Sequence, residues 1–195
     1  MKFEMLIESF ATDRDGRVIS RTKRRKAHSF VQGYIWGMCA NMMAEVAPAP
    51  VLGPVVDVDG IPHNIRNTSA PLRCHGALAT PDPGIRIGTG SSPVRINQTQ
   101  LDAVIAEGAG AGQMNHQAQT WTFEGIVADQ ATFTMTRSFI NNSVAQVDVR
   151  EAGLHIPVVD LTPNTYYLLG SRELASHDTP TGGAVTLTYT IRIVL

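Results

Sequence analysis

The stretch Val185-Thr186-Leu187-Thr188-Tyr189-Thr190-Ile191-Arg192-Ile193 decides the fold, because apolar and polar residues alternate through it without a break. Successive side chains of a β-strand point to opposite faces of its sheet. An alternation of this kind therefore places one face of the strand against a core and the other toward solvent. The stretch predicts a half-buried β-strand.

Shorter runs upstream repeat the same alternation. Phe133, Met135 and Phe139 alternate with Thr and Ser residues, and Val147 and Val149 alternate with polar residues beyond Asn141-Asn142-Ser143. These two runs predict a hairpin with its turn at the Asn-Asn-Ser triplet. Further predicted strands are Ile85 to Gly88, Trp121 to Val127, Gly153 to Val159 and Tyr166 to Arg172. Together they predict a mainly β domain over residues 84–195, an antiparallel β-sandwich of the jelly-roll or immunoglobulin-like kind.

Residues 1–83 differ in pattern from the alternating runs of 84–195, and they predict an N-terminal extended arm that contains one α-helix. Lys2 to Phe10 predicts a short strand, and Asp13-Arg14-Asp15-Gly16 supplies a turn after it. Ser29 and Gln32 have the spacing of a capping box, and apolar residues recur behind them at helical intervals, which predicts a helix over about 30–46. Prolines then interrupt 47–93, so we expect an extended stretch with short edge strands that lies across neighbouring subunits.

The composition limits the classes of function. The chain has 195 residues and a formal net charge of -1 at pH 7, which excludes a protein that coats nucleic acid through its overall charge. Charged residues make up 17% of the sequence, below the roughly 25% usual for soluble domains. A surface of such low charge is easy to bury against neighbouring proteins.

The two cysteines and the first ten residues bear on the compartment. Cys39 and Cys74 do not form the dense framework of a small secreted scaffold, so we expect reduced thiols. Met1 to Phe10 contains Glu4 and Glu8 and no long apolar stretch, so we expect neither a signal peptide nor a membrane span there. The sequence predicts assembly in a cytoplasm and no membrane partner.

Two neighbouring segments supply candidate partner-binding residues. The basic segment has five cationic side chains in six positions: Arg21, Lys23, Arg24, Arg25 and Lys26. A solvated charged turn is one interpretation, contact with an acidic patch on a partner protein is the second, and sequence-independent contact with DNA is the third. In the predicted helix, Tyr34, Met38 and Met42 form an apolar stripe that packs either in the core or against a partner.

No pattern typical of a catalytic, cofactor or metal site stands out. The six histidines contain no pair at helical spacing, and the adjacent Cys74 and His75 point to opposite faces of any strand. The glycine-rich runs at 88–92 and 108–112 lack the Lys-Ser/Thr ending of a phosphate loop, and the Asp13 turn lacks the later ligands of a calcium loop. Because a nucleophile elbow is also missing, we predict no catalytic residues, no cofactor, no metal and no enzymatic activity.

Several runs within 84–195 resemble a known group of sequences. They are Gly84-Ile85-Arg86-Ile87-Gly88-Thr89-Gly90, Thr136-Arg137-Ser138-Phe139-Ile140-Asn141-Asn142-Ser143, Val147-Asp148-Val149-Arg150-Glu151-Ala152-Gly153-Leu154, and Gly183 with Leu187-Thr188-Tyr189-Thr190-Ile191. These runs are similar to a family of uncharacterised virion structural proteins of tailed bacteriophages. The resemblance implies a β-sandwich and a structural role without catalytic residues. Pro157 and Pro163 depart from the family pattern and affect the expected pairing of the strands around them.

These observations lead to an expected function and its alternatives. We expect a capsid decoration or cement protein of the virion, a homo-oligomer with three-fold symmetry favoured, that stabilises the head by binding the major capsid protein. The alternative is a tail, collar or fibre-attachment component that binds a host surface. A carbohydrate-binding or hydrolytic module comes third, because aromatic residues make up only 6% of the sequence.

Overall fold

The computed structural model describes residues 2–27, 52–65, 74–159 and 165–194, and all regular secondary structure in these ranges is β. The strands are β1 (Lys2–Thr12), β2 (Val18–Lys26), β3 (Leu52–Val56), β4 (Pro62–Ile65), β5 (Gly84–Gly88), β6 (Asn115–His116), β7 (Thr120–Val127), β8 (Gln130–Ile140), β9 (Val147–Val159), β10 (Thr165–Thr179) and β11 (Ala184–Val194). Within the described ranges there is no helix with the length and apolar character needed to cross a membrane.

The strands form one large antiparallel sheet, a smaller one and a separate hairpin. The main sheet has the order β2-β1-β11-β8-β6, and β7 pairs with β8 on the same side as β6. The second sheet has the order β10-β9-β5, and β3 pairs with β4. The mainly β, antiparallel class predicted from the alternating runs is therefore confirmed.

The largest hydrophobic cluster of the described residues lies between the two larger sheets. In β11, Val185, Leu187, Tyr189 and Ile191 are all buried, as their alternation predicts. The same cluster contains Met5 and Ile7 of β1, Met135 and Phe139 of β8, Leu154 and Ile156 of β9, and Ile85 and Ile87 of β5. The inward faces of both sheets thus supply a shared interior.

The structure corrects the position given to the first strands. β1 lies between β2 and β11, with Met5 opposite Ile191 and Ala11 opposite Val185. Met5 and Ala11 are buried in the shared core, so β1 and β2 belong to the main sheet and not to an arm that ends at residue 83. The predicted turn after β1 is confirmed, because Asp13 Oδ1 accepts hydrogen bonds from the N–H groups of Asp15 and Arg17.

The predicted hairpin across Asn141-Asn142-Ser143 is wrong, because the chain crosses here from one sheet to the other. β8 belongs to the main sheet and β9 to the second sheet. Buried Asn141 fixes the crossing: its side-chain amide donates to the carbonyls of Ala145 and Thr179 at 2.9 and 2.8 Å. Its backbone also exchanges hydrogen bonds with Gly182 and Gly183, in the connection between β10 and β11. Two crossings between the sheets are therefore bonded side by side.

The other predicted strands are present with changed bounds. The runs at 147–150 and 153–159 form one continuous strand, β9, and the run at 166–172 is part of the longer β10. Pro157 is accommodated because β5 pairs with β9 only from Glu151 to His155, so β5 loses no hydrogen bond at the proline. The predicted helix over 30–46 lies outside the described residues, and the proline-rich stretch contains the short strands β3, β4 and β5.

Candidate functional site

The predicted basic segment forms the second half of β2, an edge strand of the main sheet. Arg25 turns toward the second sheet, where its guanidinium lies 3.3 Å from the Glu173 carboxylate and donates to the Leu174 carbonyl at 2.8 Å. Glu173 is fully buried, so this contact joins the two sheets. Lys26 lies 3.5 Å from Glu4 of β1. Both cations therefore have ion-pair partners within the chain.

The other three cations of the segment, Arg21, Lys23 and Arg24, are exposed. The register shifts between Ile7 and Ser9, so that Glu8 alone on β1 lies opposite both Lys23 and Arg24. Such a bulge increases the local twist of an edge strand, and cationic side chains on an edge oppose pairing with another strand. This edge presents charge to a partner rather than a flat, apolar strand.

β7 lies at the opposite edge of the main sheet from β2, and its exposed side chains include large apolar ones. Every residue of β7 except Gly125 is exposed, and the exposed fraction reaches 67% for Phe123 and 72% for Ile126. Trp121 is 40% exposed, and its ring stacks on that of Phe133 with centroids 5.7 Å apart. We call Trp121, Phe123 and Ile126 the β7 patch.

The β7 patch lies on the core side of the main sheet. Trp121 is opposite Met135, Phe123 is opposite Phe133, and Ile126 is opposite Ala131 in the β7–β8 register. Residues directly opposite each other in an antiparallel pair point to the same face. Because Met135 is fully buried in the core and Phe133 packs against it, the patch continues the apolar inner face of the sheet beyond the part that the second sheet covers.

Inside the protein, a carboxylate holds the first glycine-rich run. Glu151 is fully buried, and its carboxylate accepts hydrogen bonds from the N–H groups of Gly90, Asp102 and Ala103 and from Arg172 Nε at 2.6 Å. Arg172 also bonds Asp102 at 2.6 Å and the Ser92 carbonyl at 3.1 Å. A Cβ atom at Gly90 would lie 2.5 Å from Glu151 Oε1. This glycine loop thus wraps a carboxylate of its own chain.

Arg137 of β8 is a second buried charge that organises a loop. It is 1% exposed and donates hydrogen bonds to the carbonyls of Gln117, Ile85, Ala77 and Thr80 at 2.7 to 3.0 Å. All four acceptors are backbone groups, so the guanidinium fastens the segment before β5 to the main sheet. The side chain is structural.

Among the described residues, His177 lies between two hydroxyl groups and so places a base beside a possible nucleophile. Its Nε2 is 2.7 Å from Ser9 Oγ and its Nδ1 is 2.6 Å from Ser20 Oγ. Burial lowers the pKa of His177, and nearby Arg150 lowers it further. Ser9 and His177 are 3% and 1% exposed, so this pair is buried in the folded protein. The arrangement joins β1 and β2 to β10.

Cys74 and His75, the adjacent pair considered for metal binding, differ in their exposure to solvent. Cys74 is buried, which raises the pKa of its thiol to about 12, whereas His75 is exposed. His116 is fully buried, and its pKa is lowered to about 4 by burial and by the charges of Arg86 and Arg137. Within the described ranges, no group of three or more His, Cys, Asp or Glu side chains has the arrangement of a metal site.

The structure brings together only some of the candidate residues. Arg21, Lys23 and Arg24 share one exposed edge, Arg25 and Lys26 pair internally, and Tyr34, Met38 and Met42 lie outside the described residues. The sequence predicted β7 as a strand but missed its patch. Trp121 and Phe123 do alternate with threonines, yet alternation alone cannot tell whether the apolar face is covered.

The chain was compared with protein-family models, with curated proteins and with solved structures, and none of the three comparisons gives a match.

Proposed function

We propose that this chain is a non-enzymatic structural protein that joins an assembly through the two edges of its main sheet, β2 and β7. The β7 patch is the observation that carries the proposal. Exposed aromatic and aliphatic side chains on one strand, contiguous with the core, are a feature of surfaces that become buried against another protein. A monomer gains nothing from leaving Phe123 and Ile126 in water.

The contacts of the buried polar and charged side chains support a structural role. Glu151, Arg172, Arg137 and His177 are each engaged in contacts that connect loops or sheets. Such networks stabilise one arrangement of the chain. Because these contacts are internal, the exposed edges of the main sheet remain as surfaces for a partner. The fold that we propose for the whole is a β-sandwich.

Within this class, we propose a virion protein of a tailed bacteriophage, and first a decoration or cement protein that binds the major capsid protein. The proposal rests on the sequence resemblance of 84–195 together with a low-charge surface. In this role, Arg21, Lys23 and Arg24 meet an acidic surface of the partner, and burial across subunit junctions stabilises the head. The alternative role, as a tail, collar or fibre-attachment component, uses the same surfaces at another place in the particle.

A cryo-electron microscopy reconstruction of intact particles tests this proposal. We expect density for the two sheets at three-fold or quasi-three-fold positions of the capsid. Density at the neck or tail would transfer the function to the attachment role. Particles that contain no copy of the chain would refute the virion proposal altogether.

A binding assay with purified particles tests the basic edge. The triple variant Arg21→Gln, Lys23→Gln and Arg24→Gln should bind particles more weakly at low ionic strength, and the deficit should shrink as salt screens the wild-type contact. A control variant, Arg14→Gln with Arg95→Gln, removes two exposed charges elsewhere and should bind as the wild type does. If the triple variant binds equally well, the basic edge is only a solvated surface.

A further inference from the structure

We propose that the β7 patch binds the β7 patch of a second copy of this chain, so that copies associate side by side through the β7–β8 hairpin. The inference rests on the proposed function in that it treats this side of the main sheet as an assembly surface. It goes further in naming the partner.

The exposed fraction of the side chains increases along a continuous apolar face that runs from β8 onto β7. Met135 is fully buried, Trp121 is 40% exposed, Phe123 is 67% exposed and Ile126 is 72% exposed. The stacked rings of Trp121 and Phe133 connect the exposed side chains to the core. The patch is therefore fixed on a strand that is hydrogen-bonded to the sheet, which lowers the entropy that is lost when it binds.

The charge pattern favours an identical partner. Glu124 is the only charged residue of β7, and it lies at the register shift between Phe123 and Gly125. The opposite edge carries Arg21, Lys23 and Arg24. A patch without charged side chains makes no ion pairs that would favour a charged partner. A second β7 patch, in contrast, is equally apolar. A two-fold axis would bring the two patches together as an isologous interface.

The area agrees with an interface between two copies. With about 200 Å² for an aromatic side chain, the exposed parts of Trp121 and Phe123 amount to roughly 210 Å², and the smaller Ile126 adds roughly 100 Å². A standard interface buries about 800 Å² per partner. Three side chains thus supply more than a third of that area, and the exposed residues beside them on β7 add to it.

Analytical ultracentrifugation of the full chain tests the proposal. We expect the wild type to associate reversibly as its concentration rises, and the double variant Phe123→Ser and Ile126→Thr to stay monomeric with an unchanged circular dichroism spectrum. The control variant Val18→Thr and Ile19→Thr removes exposed apolar side chains from the β2 edge and should associate as the wild type does.

Other results overturn the proposal. A wild type that stays monomeric up to its solubility limit shows that the patch is covered by the same chain or by a different protein. A double variant that associates like the wild type places the contact elsewhere. Either result leaves the virion role intact, because that role is decided by the reconstruction of particles and not by self-association.

Photo-crosslinking tests the same contact if the double variant does not fold. p-Benzoylphenylalanine at position Phe123 keeps an aromatic side chain, and a mixture of isotopically light and heavy copies distinguishes links between copies from links within one. We expect mixed light–heavy peptides that join position 123 to the β7–β8 hairpin. Links confined to single copies would refute the proposal.

Discussion

Replacing Glu151 with Gln should destabilise the protein by about 3 kcal/mol, although the two side chains have nearly the same shape. The Glu151 carboxylate accepts two hydrogen bonds at each oxygen: Gly90 and Ala103 N–H at Oε1, and Asp102 N–H and Arg172 Nε at Oε2. Whichever way a Gln amide is turned, its NH2 group faces two donors.

The size of the effect follows from the lost acceptor. A hydrogen bond that involves a charged group contributes about 1.5–3 kcal/mol and a neutral one about 0.5–1.5 kcal/mol. Removal of one partner from a buried ion pair costs about 3–5 kcal/mol. Because Arg172 keeps its contact with Asp102 at 2.6 Å, we expect the lower end of that range. For a chain of this length, 3 kcal/mol corresponds to a decrease in Tm of roughly 6–12 °C.

Urea unfolding followed by circular dichroism measures this change. Glu124→Gln is the matched control, because Glu124 is exposed and its replacement should alter the free energy of unfolding by about 0.5 kcal/mol or less. Arg172→Met should cost less in the Glu151→Gln background than in the wild type, since the two residues share one network. A Glu151→Gln protein within about 1 kcal/mol of the wild type would refute the view that this carboxylate anchors the glycine loop.

Three further predictions concern other parts of the fold. Deletion of residues 2–26 should abolish cooperative unfolding, because β11 loses its neighbour and Met5 leaves the core; a cooperative thermal transition of the truncated chain would contradict the pairing. The pKa of His116 is lowered to about 4, so the unfolded chain takes up a proton near pH 6.5 that the folded one does not. The free energy of unfolding should therefore fall as pH falls from about 6.5 toward 4, and urea titrations of His116→Gln should show a smaller fall; an equal fall would exclude this residue as a cause. Ala128 and Asp129 have φ angles of 45° and 64° at the β7–β8 turn, so Ala128→Asn with Asp129→Gly should raise the free energy of unfolding by about 1 kcal/mol; no gain in Tm would refute strain at this turn.

The sequence predicts the local elements of this fold well because local patterns determine them. The alternation around Leu187 and Tyr189 depends only on the two faces of a strand, and it gives both the strand and its buried face. Asn141 shows where such reasoning ends. A short polar segment between two alternating runs is compatible with a hairpin and with a crossing between sheets, and the carbonyl of Thr179 that decides between them is 38 positions away.

The buried charges and the β7 patch were not predictable for a related reason. Composition places Arg137 and Glu151 on the surface by default, and their partners come from loops remote in sequence. For Phe123, the sequence gives the face of the strand on which it lies. Whether that face is covered depends on the number of strands in the opposite sheet, which no local pattern records.

The pairing of β1 with β11 has a consequence for the order of folding. Thr12 and Ala184 are neighbours in the sheet but lie 172 positions apart in sequence. During synthesis, β1 can pair with β2 at once, but its other partner, β11, is made only after β3 to β10. Until then Met5, Ile7 and Ala11 lack their core contacts, and the exposed apolar side chains make the β1–β2 hairpin prone to aggregation. A fold closed by its most distant contact forms slowly, and chaperones that hold the early hairpin should raise the yield of this protein in cells.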